Sequence, residues 1–216
     1  MIYLCYAIMI IVPYLLCGIN TAIIVTKIKT GEDIRTLGSG NAGLTNTLRT
    51  QGKIAALFVL LGDVLKGTLS ILIVRFSFLW LTGTDTANPD NMMTYVGFAA
   101  AVAAIIGHVF PIYFGFKGGK AVATAAAVAL MIDWRVFLSA FAVFAVVAAL
   151  TRTASVSSMA ASIAVAAMTP VFTKNPVLIS LGIFTCLLVL LMHRSNIRRL
   201  IQGLSLIHIS EPTRRS

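Results

Sequence analysis

Seven apolar runs take up most of this chain, and they leave it few folds to adopt. They lie near Ile2–Val25, Ile54–Leu81, Tyr95–Phe110, Val122–Ile132, Trp134–Leu150, Val156–Phe172 and Val177–Met192. A helix rises about 1.5 Å per residue, so roughly 20 apolar residues cross the ~30 Å of hydrocarbon in a bilayer. Backbone N–H and C=O groups find no water there, which makes the helix the natural form for such runs. The fold class expected is an all-α integral membrane protein of about seven transmembrane helices. Composition agrees: 58% of the 216 residues are hydrophobic and 11% charged, with a mean hydropathy of +0.94. A soluble domain of this length needs far more polar surface. The first run lacks the basic leader and small-residue cleavage site of a signal peptide and is read as a retained helix. The fourth is short enough to be a half-helix or re-entrant piece. The second is long and carries Asp63, Lys66 and Arg75, so part of it lines the protein interior.

Seventeen Lys and Arg face seven Asp and Glu, a formal charge of +10. Too little soluble chain remains for a nucleic-acid groove, so no nucleic acid is expected. The excess fits cytoplasmic loops, membrane lipids with anionic headgroups, and phosphorylated substrates. It is also unevenly placed. Lys27, Lys29, Arg35, Arg49 and Lys53 follow the first run, Lys117 and Lys120 the third, Arg152 the fifth, and Arg194, Arg198 and Arg199 the seventh. The intervening gaps hold Asp85 and Asp90, then Asp133 with Arg135, then Lys174 alone. The positive-inside bias puts the N-terminus outside and the C-terminus in the cytoplasm, with all the unusual polar sequences on the cytoplasmic face. Cys5, Cys17 and Cys186 sit in apolar runs without metal-ligand spacing; no disulfide framework and no metal site is expected.

Two polar stretches stand out. In Gly38-Ser39-Gly40-Asn41-Ala42-Gly43-Leu44-Thr45-Asn46-Thr47-Leu48-Arg49, close glycines let backbone N–H groups converge on an anion. Ser39, Asn41, Thr45 and Asn46 add neutral hydrogen bonds, and Arg49 a forked, permanent charge. A flexible interhelical loop has the same composition. The second stretch is Gly107-His108-Val109-Phe110-Pro111 followed by Phe116-Lys117-Gly118-Gly119-Lys120-Ala121-Val122-Ala123-Thr124. Two glycines between lysines at a helix start make a phosphate seat, although Phe114 and Ala121 exclude a Walker loop. Lys117 and Lys120 also suit a topology anchor, and His108 an interhelical hydrogen bond. Two weaker features are the serines Ser155, Ser157 and Ser158, which suit helix packing, with the later run His193-Arg194-Ser195-Asn196-Ile197-Arg198-Arg199, and Asp63 with Lys66, spaced as an ion pair.

These stretches, with DVLKG at Asp63 to Gly67, Ser157-Ser158 and HRSNIRRL from His193 to Leu200, resemble the acyl-phosphate glycerol-3-phosphate acyltransferases, the PlsY family. The likeness runs from the first helix to about Gly203, a single domain. Ala42 stands where proline is frequent and Ala121 where glycine is usual. Beyond it, Leu204 to Arg214, LSLIHISEPTR, resembles the translation of a sequencing-library transposase adapter. Residues 204–216 are accordingly read as a non-native tail, and the basic excess persists without them.

The resemblance implies a multi-pass enzyme of the bacterial inner membrane, with its active site facing the cytoplasm. It would transfer an acyl group from acyl phosphate to the 1-hydroxyl of glycerol 3-phosphate, as a monomer and without a cofactor. Carried over residue by residue, Ser39, Arg49, Lys120, His193 and Asn196 are the expected catalytic groups. Gly40, Asn41, Gly43, Thr45, Asn46, His108, Lys117, Gly118, Gly119, Thr124 and Ser158 are the expected substrate-binding ones. No Ser-His-Asp arrangement with a credible acid is present, so direct attack is favoured over an acyl-enzyme. A transporter of phosphate esters or other anions is the competing reading, but it calls for polar access from both faces and commonly for internal repeats. A phosphotransferase acting on CDP-alcohols needs an aspartate cluster this sequence lacks. The topology has a direct test. Single cysteines at Thr50 and Asp90, in a background without the native ones, should label from opposite sides of the membrane; labelling from one side overturns the assignment.

Overall fold

The computed structural model describes residues 2–83 and 93–202, and the regular structure among them is helical. The tail and the acidic pair Asp85 and Asp90 lie outside the described residues. Ten α-helices follow in order: α1 Ile2–Gly18, α2 Thr21–Thr30, α3 Leu44–Gln51, α4 Lys53–Thr82, α5 Met93–Val109, α6 Val122–Ile132, α7 Trp134–Thr151, α8 Ala154–Phe172, α9 Pro176–Met192 and α10 Arg194–Ile201. Five spans among these residues are long and apolar enough to cross a membrane: Ala7–Thr30, α4, Tyr95–Phe114, α7 and α8. The α9–α10 pair qualifies as a sixth only if its 59° bend counts as part of one span. The fourth expected run is α6, whose 11 residues make it the short element that the sequence indicated.

The first run is not one helix. Gly18 ends α1, and Asn20 opens α2, its side-chain oxygen accepting the Ile23 N–H at 3.0 Å. A short polar residue that caps the following turn is a strong local reason to restart a helix. Two further helices were not legible as spans. The amphipathic α3 sits inside the glycine-rich stretch, and α10 turns away from α9 at His193.

α4 is the central element and packs against α1, α2, α3, α5 and α6, while α1 also lies along α5. Helices α7, α8 and α9 are successive neighbours on the flank, with α9 returning to α5. The main core joins Met9 and Cys17 of α1, Ile71, Val74 and Phe78 of α4, Ala100, Ala101 and Ala104 of α5, and Leu181 of α9. Small residues permit this close packing where lipid offers no hydrophobic drive between helices. A Cβ on Gly107 would run into the Tyr14 backbone, and one on Gly67 would press on Ala127 and Thr124. Phe58, Trp80, Phe141 and Leu187 stay exposed, as lipid-facing side chains do. Cys17 and Cys186 are buried and free.

Charges within α4 are satisfied internally. Lys66 Nζ lies 2.8 Å from Asp63 Oδ1 and donates to the Ile19 carbonyl at 2.9 Å, at the break between α1 and α2. Thr21 Oγ1 donates to Asp63 Oδ1 at 3.2 Å, and the ion pair is almost wholly buried. Arg75 Nη1 reaches the Met131 carbonyl near the end of α6 at 3.3 Å. Removing one member of a buried pair strands the other charge, at a cost of about 3–5 kcal/mol. Lys66→Met should therefore lower thermal stability and folded yield sharply. Adding Asp63→Asn should recover part of the loss and leave the Ile19 carbonyl without its donor. Equal stability of Lys66→Met and the unaltered protein would refute this role.

Candidate active site

The glycine-rich stretch after α2 is a shaped loop. Gly38 and Gly40 take φ of +55° and +72°, a region open to glycine at little cost. Asn46, on the first turn of α3, is buried and holds the loop from inside: its Oδ1 accepts the Ser39 N–H at 2.9 Å. Its Nδ2 donates to Ile34 O at 3.2 Å and Leu37 O at 2.9 Å. Asn46, expected as a substrate ligand, thus spends its amide on the loop backbone. Ser39 and Gly40 are exposed, while Asn41, Thr45 and Arg49 are partly so. Gly43 caps α3 without a side-chain bond, which leaves first-turn N–H groups at the loop.

The second loop folds back on the end of α5. Gly118 N–H bonds Val109 O at 3.0 Å, and Gly119 N–H bonds His108 O at 3.2 Å. Any Cβ at Gly119 would strike the His108 ring and the Ala42 carbonyl, so this glycine lets the two loops meet. Ala121 caps α6 at φ +57°, where a side chain costs about 1–2 kcal/mol. Glycine, usual at this position in the resembled family, would avoid that cost.

At the α9–α10 corner, Lys120 Nζ donates to Asn196 Oδ1. His193 is buried, its Nδ1 2.8 Å from Val189 O. A carbonyl only accepts, so Nδ1 carries the proton and Nε2 is the unprotonated nitrogen. Burial, then the neighbouring Lys120 charge, pushes the His193 pKa down to about 4 against the weaker pull of the Val189 bond. The imidazole is therefore neutral at physiological pH. Burial and then Arg199 lower Lys120 to about 8. The same two causes, in the same order, lower Arg49. Arg49, Lys120, His193, Asn196 and Arg199 thus form one electrostatic neighbourhood, and no salt bridge among the described residues neutralises its cations.

Other expected residues lie elsewhere. His108 and Thr124 are buried beneath the second loop, Thr124 Oγ1 3.2 Å from His108 Nδ1 and that nitrogen 3.8 Å from Asp63. They support the loop from below, which is the interhelical alternative for His108. Ser158 donates to Ala154 O of its own helix at 2.7 Å and Ser157 to Thr153 O at 2.9 Å, as packing serines do. No hydrogen bond among the described residues ties Ser158 to the Lys120 neighbourhood. Lys117 is exposed on the rim of a cavity of about 580 Å³, lined also by Asp33, Arg35, Gly40, Phe114 and Gly118. That cavity adjoins both loops, but Arg49, Lys120 and His193 do not line it. Charge, neutral donors and burial coincide in the latter group.

Three contributors escaped the sequence reading. Arg35 chelates Asp33, with Nη2 at 2.7 Å from Oδ2, and donates to Phe114 O at 2.7 Å and Lys117 O at 3.2 Å, clamping the second loop to the first. The Arg35 hydrogen bonds hold the Asp33 carboxyl below its ordinary range, and Asp33 in turn raises the guanidinium. Asn20 Nδ2 donates to Ala42 O at 3.3 Å. Arg199 lies within electrostatic reach of both Arg49 and Lys120. Arg35 was visible only as one more loop cation and Asn20 as one polar residue inside an apolar run, whereas Arg199 stood in the HRSNIRRL motif without a role of its own.

Comparison with known proteins fits this geometry. The family described as Glycerol-3-phosphate acyltransferase matches residues 7–203. A glycerol-3-phosphate acyltransferase of Trichormus variabilis is 43% identical over 204 residues, covering 93% of this chain and 90% of the relative. That of Clostridioides difficile is 40% identical over 198 residues, covering 92% and 93%. The crystal structure of PlsY, an integral membrane glycerol 3-phosphate acyltransferase, in its glycerol 3-phosphate form superposes with a TM-score of 0.78 at 32% identity, covering 90% of this chain and 91% of that one. Its lysophosphatidic acid form gives 0.75 at 30% identity, with the same coverage. Motifs, helices and neighbours agree: the chain is a multi-pass membrane protein that belongs to the glycerol-3-phosphate acyltransferase family.

Proposed function

We propose that the protein transfers an acyl group from acyl phosphate to the 1-hydroxyl of glycerol 3-phosphate. The products are 1-acyl-glycerol 3-phosphate and inorganic phosphate. The reaction takes place at the cytoplasmic face of the bacterial inner membrane, in a monomer, with no metal or cofactor. One observation carries this reading. Arg49 and Lys120, joined through Arg199, share a partly buried neighbourhood with Asn196 and neutral His193, and no carboxylate among the described residues neutralises them. Such a site is prepared for anions, and the relatives' names supply one of them, glycerol 3-phosphate.

Acyl phosphate is an activated anhydride, so the protein must chiefly bring two anions together and orient the hydroxyl toward the carbonyl carbon. The new ester C–O bond forms as the carbonyl-to-phosphate C–O bond breaks, and the phosphate leaves with that electron pair. The hydroxyl proton must go to a base. His193 is a weak one, because burial and Lys120 hold its pKa near 4. A substrate phosphate oxygen takes the proton more readily. The Ser39 hydroxyl and the uncapped first-turn N–H groups of α3 orient the phosphates, while Lys120 and Arg49 offset charge on the leaving group.

Two outcomes test the reading. Arg49→Lys and Lys120→Ala should each lower kcat/KM for glycerol 3-phosphate by roughly tenfold to a hundredfold, the value of a charge-assisted hydrogen bond of about 1.5–3 kcal/mol. Lys174→Ala, at the far end of α8, should stay near the unaltered rate. Near-normal activity of the first two at limiting glycerol 3-phosphate would make these residues topology anchors. The pH profile is the second test. Lys120 is a cation below its lowered pKa and neutral above it, so kcat/KM should fall as pH rises through about 8. In Lys120→Arg the charge persists, and that alkaline limb should vanish from whatever activity remains.

A further inference from the structure

We propose that Arg199 is a third substrate-binding cation of this site, gripping phosphate together with Arg49 and Lys120; the inference rests on reading the site as a pocket for two phosphates. Placement carries it. Lys120 Nζ bonds Asn196 on α10, and Arg199 follows Asn196 by three residues, so both side chains share one face of that helix. Arg198, one residue earlier, points to a different face. Arg199 is exposed, and no salt bridge among the described residues involves it. Every described ion pair of the chain uses another cation: Asp33 holds Arg35, Asp63 holds Lys66 and Asp133 holds Arg135.

The electrostatics agree with the placement. After burial, Arg199 is the charge that lowers both Arg49 and Lys120. The charged and titratable groups facing Lys120 are then His193 at the end of α9 and Arg199 on α10, with Arg49 of α3 joined to them through Arg199. A cation that repels two others costs folding free energy unless an anion binds among them. Charge counting gives the same answer. A phosphate monoester carries roughly 1.5–2 negative charges at neutral pH, and acyl phosphate carries a similar load. Two such groups exceed what Arg49 and Lys120 neutralise. The guanidinium of Arg199 offers the paired donors that match phosphate oxygens.

The test uses the purified full chain in detergent or vesicles. Glycerol 3-phosphate binding is measured by calorimetry, and turnover with acyl phosphate across pH. Arg199→Gln should weaken glycerol 3-phosphate binding, or raise KM for acyl phosphate, by about tenfold or more. It should also move the alkaline limb of kcat/KM upward from about 8, because one like charge facing Lys120 is gone. A merely structural role for α10 would not move that limb. Arg199→Lys should leave the limb in place with an intermediate loss of affinity, and it keeps the test valid if the glutamine variant folds poorly. Arg198→Gln removes the same charge from another face and should stay within about twofold of the unaltered protein. The proposal is overturned if Arg199→Gln matches Arg198→Gln in both affinity and pH limb. Failure of the unaltered protein to use acyl phosphate would sink the donor assignment alone, and the glycerol 3-phosphate binding arm would still decide on Arg199.

Discussion

Water is missing from most of the volume this chain occupies, so a broken helix or a polar loop there must find its hydrogen-bond partners in protein. One connected set of side chains meets that demand. Lys66 takes the Ile19 carbonyl freed where α1 gives way to α2, and Asp63 neutralises it while accepting from Thr21. His108 and Thr124 stand beside the pair, and the backbone of Gly119 rests on His108. From the same break, Asn20 reaches Ala42 in the first loop. The scaffold and the two glycine loops are therefore not separable modules: the polar groups that make the break tolerable are those that seat the loops.

Among the described residues, Asp33, Asp63 and Asp133 each have a basic partner, whereas Arg199 lies within electrostatic reach of Arg49 and of Lys120 and none of these three cations pairs with an acid. Unbalanced charge in a partly dry place is costly to hold, and it is what binds an anion on arrival. The low pKa of Lys120 is the trace of that arrangement. Neutral His193 adds a polar group without adding to the repulsion.

The spans were legible because hydrophobic length is a one-dimensional signal. α4, α6, α7, α8 and α9 fall within a few residues of their apolar runs. The break at Asn20 was not, since one polar residue in 24 leaves the hydropathy of a run almost unchanged. Arg49, Lys120, His193 and Asn196 came from the motifs, and the structure places them in one neighbourhood. His108, Asn46 and Thr124 belong to the same motifs, yet their polar atoms are turned to the scaffold. A motif records that a residue matters to a site, not whether it faces the substrate or the backbone that shapes the pocket. Arg35 and Arg199 are the converse case: cations that charge alternation explains as anchors, and that only tertiary placement gives a second task.

The level of the second loop along α4 carries a consequence of its own. His108, under Gly119, is beside Asp63, ten residues or about 15 Å into α4. Above that level Ile54, Leu57, Phe58 and Leu61 of α4 remain exposed apolar side chains. Short α6 starts from this recessed level, and its 11 residues cover only about 16 Å. The second loop, which carries Lys120, is thus set at the level of Asp63 in an otherwise greasy wall. In the reaction proposed above, a lipid-borne donor would present its first carbon at that level with its tail still lying in the leaflet, and a hydrophilic acceptor would descend to it. The acylated product of that reaction would then form where a membrane lipid already belongs, with no aqueous excursion of the chain between synthesis and residence.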